Sequence, residues 1–262
     1  MISQEREAQL RTFVALCLEA RRMATPITQF PAGVEPASLE EAFFTQDQMA
    51  EALEPRGSVA ARAWKVGAPA ADATPVFGPM IAGWIAPSES VYADERIRLR
   101  GLEAEVAFLL AKPLPPRATH YTRAEIVAAI GSCHPVIEEL ESAVPFPKNA
   151  PKFTALGDLG MHGGFVYGPA VKDWQSIAIE TEQVTLAIDD VVEVDRVASN
   201  SAGTDLLRLV EYVANEGAAR TGGLEAGTWI TTGSWTGNSF AKAGQSCRVE
   251  FSHLGRVSLR FA

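Results

Sequence analysis

Residues 101–110 read GLEAEVAFLL, and no other stretch restricts the fold so firmly. Leu102, Ala104, Val106 and Phe108 alternate with Glu103, Glu105 and Ala107. That two-residue period belongs to a β-strand, so both carboxylates project from one face. Strand signals recur in AWKVGA from Ala63, SVYADERIRLR from Ser90, HPVIEELES from His134, TWITTG, SCRVEF and RVSLRF. VTLAIDDVVEVDRV reads as a hairpin turning at Asp189 and Asp190. Upstream the pattern is helical: Leu10, Phe13, Val14, Cys17 and Leu18 share one face between Glu5 and about Met23. Ser38 with Glu41 opens a second helix that stops near Pro55, Thr122 with Glu125 opens a third, and a fourth is expected from about Thr204 to Ala219.

Helices first, then many strands without regular βαβ alternation, predict an α+β fold. Residues 1–60 are expected to form a helical N-terminal region and residues 61–262 a mixed β-sandwich or barrel-like roll. No GxGxxG, GxxxxGK[ST] or GxSxG sequence is present, which removes the usual handles for dinucleotides, nucleoside triphosphates and serine hydrolysis.

A net charge of −9 without a Lys/Arg cluster argues against a nucleic-acid partner. The N-terminus MISQEREAQLR is charged where a secretory signal needs an apolar core, and no apolar run approaches the ~18 residues of a membrane span. A cytoplasmic protein with no membrane partner is expected. Cys17, Cys133 and Cys247 are scattered and odd in number, as reduced core residues would be.

On an extended strand the Cα atoms of Glu103 and Glu105 lie roughly 6 to 7 Å apart. Two carboxylates beside an apolar layer repel and lose hydration, so either one takes up a proton or a cation sits between them. An all-oxygen set selects Mg²⁺, Mn²⁺ or Ca²⁺. The alternative is a surface strand whose glutamates simply face water; the apolar flanks GL and VAFLL weigh against it, since a sheet wet on one face usually shows more polar residues there. A further acid follows the apolar Pro135-Val136-Ile137, and a third carboxylate would complete a facial metal site. Lys65, between Trp64 and Val66, is expected to have a pKa lowered by burial if it lies inside, which would suit acid/base work, or to snorkel to water at a strand edge.

Taken in order, AWKVGA, VFGPM, GLEAEVAFLL, PVIEELES, GGFVYGP, AGTWITTGSWTG and LGRVSLRF resemble the 2-keto-4-pentenoate hydratase and 2-oxo-3-hexenedioate decarboxylase group of the fumarylacetoacetate hydrolase superfamily. EEAFFTQ at 40–46 is similar to that group's Ala-Tyr-x-x-Gln pattern. The resemblance implies a fumarylacetoacetate hydrolase-type roll and Mg²⁺ or Mn²⁺ held by Glu103, Glu105 and Glu138, with Glu139 the competing third ligand. It implies catalytic roles for Lys65 and Asp158, a substrate-facing turn at Gly233 and Ser234, a small 2-oxo or 2-hydroxydienoic acid substrate, and a homo-oligomer. The activity expected first is a hydratase adding water to a 2-hydroxy-2,4-dienoate. A decarboxylase of a vinylogous 2-oxo diacid comes next, then an acylpyruvate C–C hydrolase, then a noncatalytic binding or assembly relative.

The chain departs from that pattern in several places. In ALGDLGMHGG, Leu159, Met161 and His162 stand where the group usually has Asn and serines, so His162 is either a new substrate-contacting group or a loop histidine. Val76 replaces an aspartate, and Ser142-Ala143 replaces Ser-Arg. His134 reads as a core histidine, and Asn215 as a helix C-terminal cap.

Overall fold

The two N-terminal helices form where the apolar spacing predicts them, α1 over Gln4–Arg22 and α2 over Leu39–Leu53, in a computed structural model that describes residues 2–55, 57–58, 62–93, 97–145 and 149–262. The Ser3 and Ser38 hydroxyls cap them by accepting from Arg6 N–H and Glu41 N–H. The Glu41 carboxylate turns away from its cap and takes the Ala37 N–H and the Arg6 guanidinium instead.

The remaining elements are β1 (Ala63–Gly67), β2 (Val76–Met80), β3 (Ile85–Pro87), β4 (Ser90–Tyr92), β5 (Gly101–Leu110), α3 (Arg123–Ala129), β6 (Ile130–Leu140), α4 (Lys152–Gly157), β7 (His162–Tyr167), β8 (Gln183–Ile188), β9 (Val191–Val197), α5 (Leu207–Asn215), α6 (Ala218–Thr221), β10 (Trp229–Thr231), β11 (Ser239–Phe240), β12 (Ser246–Phe251) and β13 (Gly255–Phe261). Two sheets result, one ordered β2-β1-β10-β5-β6-β7-β3 with β11 beside β5, the other β4-β13-β12-β8-β9. Both are mixed: β1–β10, β3–β7 and β4–β13 pair in parallel and the other pairs are antiparallel. The architecture is the α+β sandwich-like roll that the order of signals predicts.

One face of each sheet closes the main core. Leu102, Ala104, Val106 and Phe108 of β5 belong to one apolar cluster with Leu186 of β8, Val249 and Phe251 of β12 and Val257 and Leu259 of β13. A smaller core joins α1 and α2 to Ile81, Ala143 and Leu159. The opposite face of β5 carries Glu103 and Glu105, so the alternation that buries one side of the strand presents its acids on the other.

Three expectations change. SVYADERIRLR forms a strand only at β4; residues 94–96 lie outside the described residues, and 97–100 are irregular, with Arg100 left-handed at φ 49°. The expected helix to Ala219 is divided into α5 and α6 at Gly217, where a Cβ would lie 2.4 Å from the Val213 carbonyl oxygen. His162 opens β7 rather than sitting in a loop. The β8–β9 hairpin forms as predicted, turning through Asp189 at φ 52°. β9 is the rim of its sheet and exposes Val191, Val192 and Val197.

Candidate metal centre

Four adjacent strands build the site. Across the β5–β6 ladder Glu103 faces Glu138 and Glu105 faces Val136, while β10 sets Thr231 opposite Ala107 and beside Lys65 of β1. Glu103, Glu105 and Glu138 each bring an oxygen to within 4.8 Å of the others. The same register decides between the two candidate third acids. Glu139 faces Leu102 and turns to the far side of the sheet, where both its oxygens are buried without a partner and burial, then Glu141, push its pKa well up.

Each member of the cluster is held. Thr231 Oγ1 donates to Glu105 Oε2. Glu138 Oε1 accepts from Lys65 Nζ at 2.6 Å and from His162 Nδ1 at 3.2 Å. Lys65 also donates to the Gly160 carbonyl at 2.9 Å. That carbonyl comes from a run of three left-handed residues, Leu159, Gly160 and Met161 at φ 53°, 57° and 68°. Such backbone costs energy at the two non-glycine positions and persists only where its surroundings fix it.

Burial, then Glu138 and Glu103, raise the Glu105 pKa well above the carboxylate range. Burial also works against ionised Glu138, but Lys65 and His162 outweigh it and hold this acid below its ordinary value. For Lys65 the expected lowering is corrected. Burial does oppose its charge, yet Glu138, Glu103 and Glu105 prevail and raise its pKa, so the residue is an ammonium ion.

A hard cation fits this arrangement. Three carboxylates converge, one is driven towards its neutral form by burial and then by the other two, and Glu138 Oε2 is buried without a partner. Beside them opens a cavity of about 270 Å³, lined on the acidic side by Lys65, Glu103 and Glu105 and elsewhere by Val66, Val76, Phe77 and Leu156. Gln46, Ser201, Gly233 and Ser234 also line it, with Gly67, Gly78 and Gly160.

Of the other sequence candidates, Gly233 and Ser234 reach this cavity but Asp158 does not. Asp158 is 1% exposed; its Oδ1 accepts from Arg21 Nε at 2.6 Å, and its Oδ2 from the Ser142 hydroxyl and the Ala143 N–H. With both oxygens engaged it braces the fold. His162 is fully buried behind Glu138, not among the cavity-lining residues, and its ring stacks on Trp84. His134 is a core residue between Ser132 Oγ and the Gly168 carbonyl, and Asn215 bonds both backbone groups of Tyr121.

Sequence reasoning passes over Arg21, Thr231 and Asn200. Asn200 Nδ2 donates to the Thr232 and Gly233 carbonyls and so shapes the turn at the cavity. None of the three carries a local signal, because each acts through a partner distant in sequence.

The fold and the acidic cluster define the class: a protein of the fumarylacetoacetate hydrolase fold. Particular relatives follow. Over 189 residues, 72% of this chain and 70% of the relative, the sequence is 25% identical to the 4-oxalocrotonate decarboxylase of Pseudomonas putida. A solved 4-oxalocrotonate decarboxylase from Pseudomonas putida G7, complexed with magnesium and adipate, superposes over 100% of both chains with a TM-score of 0.83 at 21% identity. Fumarylpyruvate hydrolase from Pseudomonas aeruginosa, in complex with Mn²⁺ and pyruvate, matches 77% of this chain and 89% of its own with a TM-score of 0.57 at 14% identity. No protein-family model matches the sequence. These relatives lie in the superfamily that the ordered motifs resemble.

Proposed function

We propose that the chain is a divalent-metal-dependent decarboxylase of a vinylogous 2-oxo diacid of the 2-oxo-3-hexenedioate type. One observation carries this reading: the three-carboxylate cluster adjoins a cavity whose other lining residues include the apolar Val66, Val76, Phe77 and Leu156. The likeness to 4-oxalocrotonate decarboxylase, in a complex that holds magnesium and a six-carbon diacid, supports it.

Glu103, Glu105 and Glu138 would hold Mg²⁺ or Mn²⁺, which supplies a Lewis acid for negative charge developing on the substrate 2-oxygen. In the reaction the bond between the distal carboxyl carbon and its neighbour breaks. CO₂ leaves, and the electron pair passes through the double bond onto the 2-oxygen. The Lys65 ammonium, anchored by Glu138 and the Gly160 carbonyl, donates a proton to that oxygen and yields the 2-hydroxy-2,4-dienoate. The apolar wall solvates the departing carboxylate poorly, which favours dispersal of its charge.

Hydration is the second reading. Ser201 and Ser234 among the lining residues favour it, since a hydroxyl directed into the cavity would orient a water. Among the described lining residues, however, the only acids and bases are Lys65 and two of the clustered glutamates, which leaves the distal carbon without a separate base. Incubation with 2-oxo-3-hexenedioate and Mg²⁺ or Mn²⁺ tests the proposal. One CO₂ released per substrate consumed supports it; consumption of 2-hydroxy-2,4-pentadienoate without CO₂ assigns the hydratase; turnover of neither removes both.

A further inference from the structure

We infer that His162 is a positioning residue that fixes the Glu138 carboxylate so that one of its oxygens is left for a cation, an inference that rests on the metal-dependent reading above. Glu138 is the carboxylate of an ion pair with Lys65, and a carboxylate only accepts, so the hydrogen shared with His162 resides on Nδ1. Two donors on Oε1 account for that oxygen. Oε2, buried with no protein partner, is the one that remains. The terminal torsion of a glutamate is broad, and a single donor at 2.6 Å would leave the carboxylate plane free to swing. A second donor from another direction removes that freedom.

The imidazole is itself locked in place. Trp84 stacks on it with centroids 5.8 Å apart and planes 26° from parallel, and Arg21 Nη1 binds the His162 carbonyl at 2.8 Å. The left-handed run from Leu159 to Met161 delivers the residue to the start of β7. The ring leaves Nε2 buried without a partner, a cost that an aliphatic residue filling the same space would avoid. The hydrogen bond through the other nitrogen is what a histidine supplies there and an aliphatic residue would not.

Two substitutions separate the N–H from the ring. His162→Asn keeps a donor near the Nδ1 position and loses the ring, whereas His162→Phe keeps the stack on Trp84 and loses the donor. Mn²⁺ affinity, titrated calorimetrically on the full chain, is the first readout, and kcat against KM the second. Loss of an outer hydrogen bond to a metal ligand weakens binding by about 10- to 100-fold, which is expected for H162F, with H162N within about threefold of wild type. Equal affinity for H162F and wild type overturns the inference, as does an H162N variant as weak as H162F. Should H162F fail to fold, H162N compared with His162→Ala decides by the same criterion. Wild-type protein that binds no Mn²⁺ overturns the metal-dependent reading itself, a result distinct from either.

Discussion

Arg21 and Asp158, 137 residues apart, form an ion pair whose side chains are 8% and 1% exposed, and this pair ties the first helix to the segment that leads into the metal-site wall. Arg21 also donates to the carbonyls of Glu141, Asp158 and His162. Asp158→Ala would leave a buried guanidinium without its counter-charge, which costs about 3–5 kcal/mol. Denaturant unfolding is expected to reveal that loss. A variant of unchanged stability whose kcat alone collapses would return Asp158 to the catalytic machinery.

Glu105 sits among like charges and is driven towards its neutral form. Glu105→Gln keeps an oxygen to accept from Thr231 while removing the repulsion. The metal-free variant is therefore expected to be more stable than wild type by about 0.5–2 kcal/mol. Wild type should gain about 2.7 kcal/mol from Mg²⁺ at a hundred times its dissociation constant, a gain the variant largely forfeits. Melting with and without Mg²⁺ checks both signs together.

Lys65→Met removes the proton carrier and also a competitor for Glu138. Decarboxylation should slow by about 10²- to 10⁴-fold while Mn²⁺ affinity changes far less, because losing a donor to Glu138 and losing a competing positive charge act on it in opposite directions. A fall in affinity that matches the fall in rate would mean that Lys65 serves the metal site alone.

Val76 belongs to the apolar wall of the cavity. A carboxylate introduced there would repel a diacid and restore polarity where the departing group needs little solvation. Val76→Asp is expected to lower the decarboxylation rate by at least about tenfold, with Mn²⁺ affinity unchanged. Rates on a diacid and on a monoacid of equal length, compared in parallel, isolate the effect.

Acid sensitivity has an identifiable contributor at α3. Arg117, then the Thr122 N–H and hydroxyl, lower the Glu125 pKa from the ordinary 4.5 to about 2. Because the folded value is the lower one, the stabilisation is fully present above about 4.5 and disappears as pH falls towards 2. The stability gap between wild type and Glu125→Gln should therefore be largest near neutrality and vanish in acid. A gap independent of pH would contradict this.

The parts of the molecule legible in sequence are those governed by local periodicity. Alternation along β5 reveals the shared face of Glu103 and Glu105, and serine and threonine caps reveal where helices begin. Choosing Glu138 over Glu139 requires the ladder in which Glu103 meets Glu138, a fact of pairing between strands. The rise in the Lys65 pKa is hidden for a related reason: its apolar neighbours are written beside it, whereas the three acids that reverse their effect arrive from other strands. His162 looks like a loop residue because nothing in GDLGMH announces that Gly160 and its neighbours adopt left-handed backbone and turn the histidine behind Glu138.

The rim strand β9 bears on solubility. Its valines and open backbone groups would invite edge-to-edge polymerisation, but an extra residue, Glu193, interrupts the ladder between Val192 and Val194 and twists the edge. Two copies meeting antiparallel about Asp195 would oppose that acid to itself, and about Arg196 the same holds for the arginine. Replacing both by threonine would convert a self-repelling border into an adhesive one.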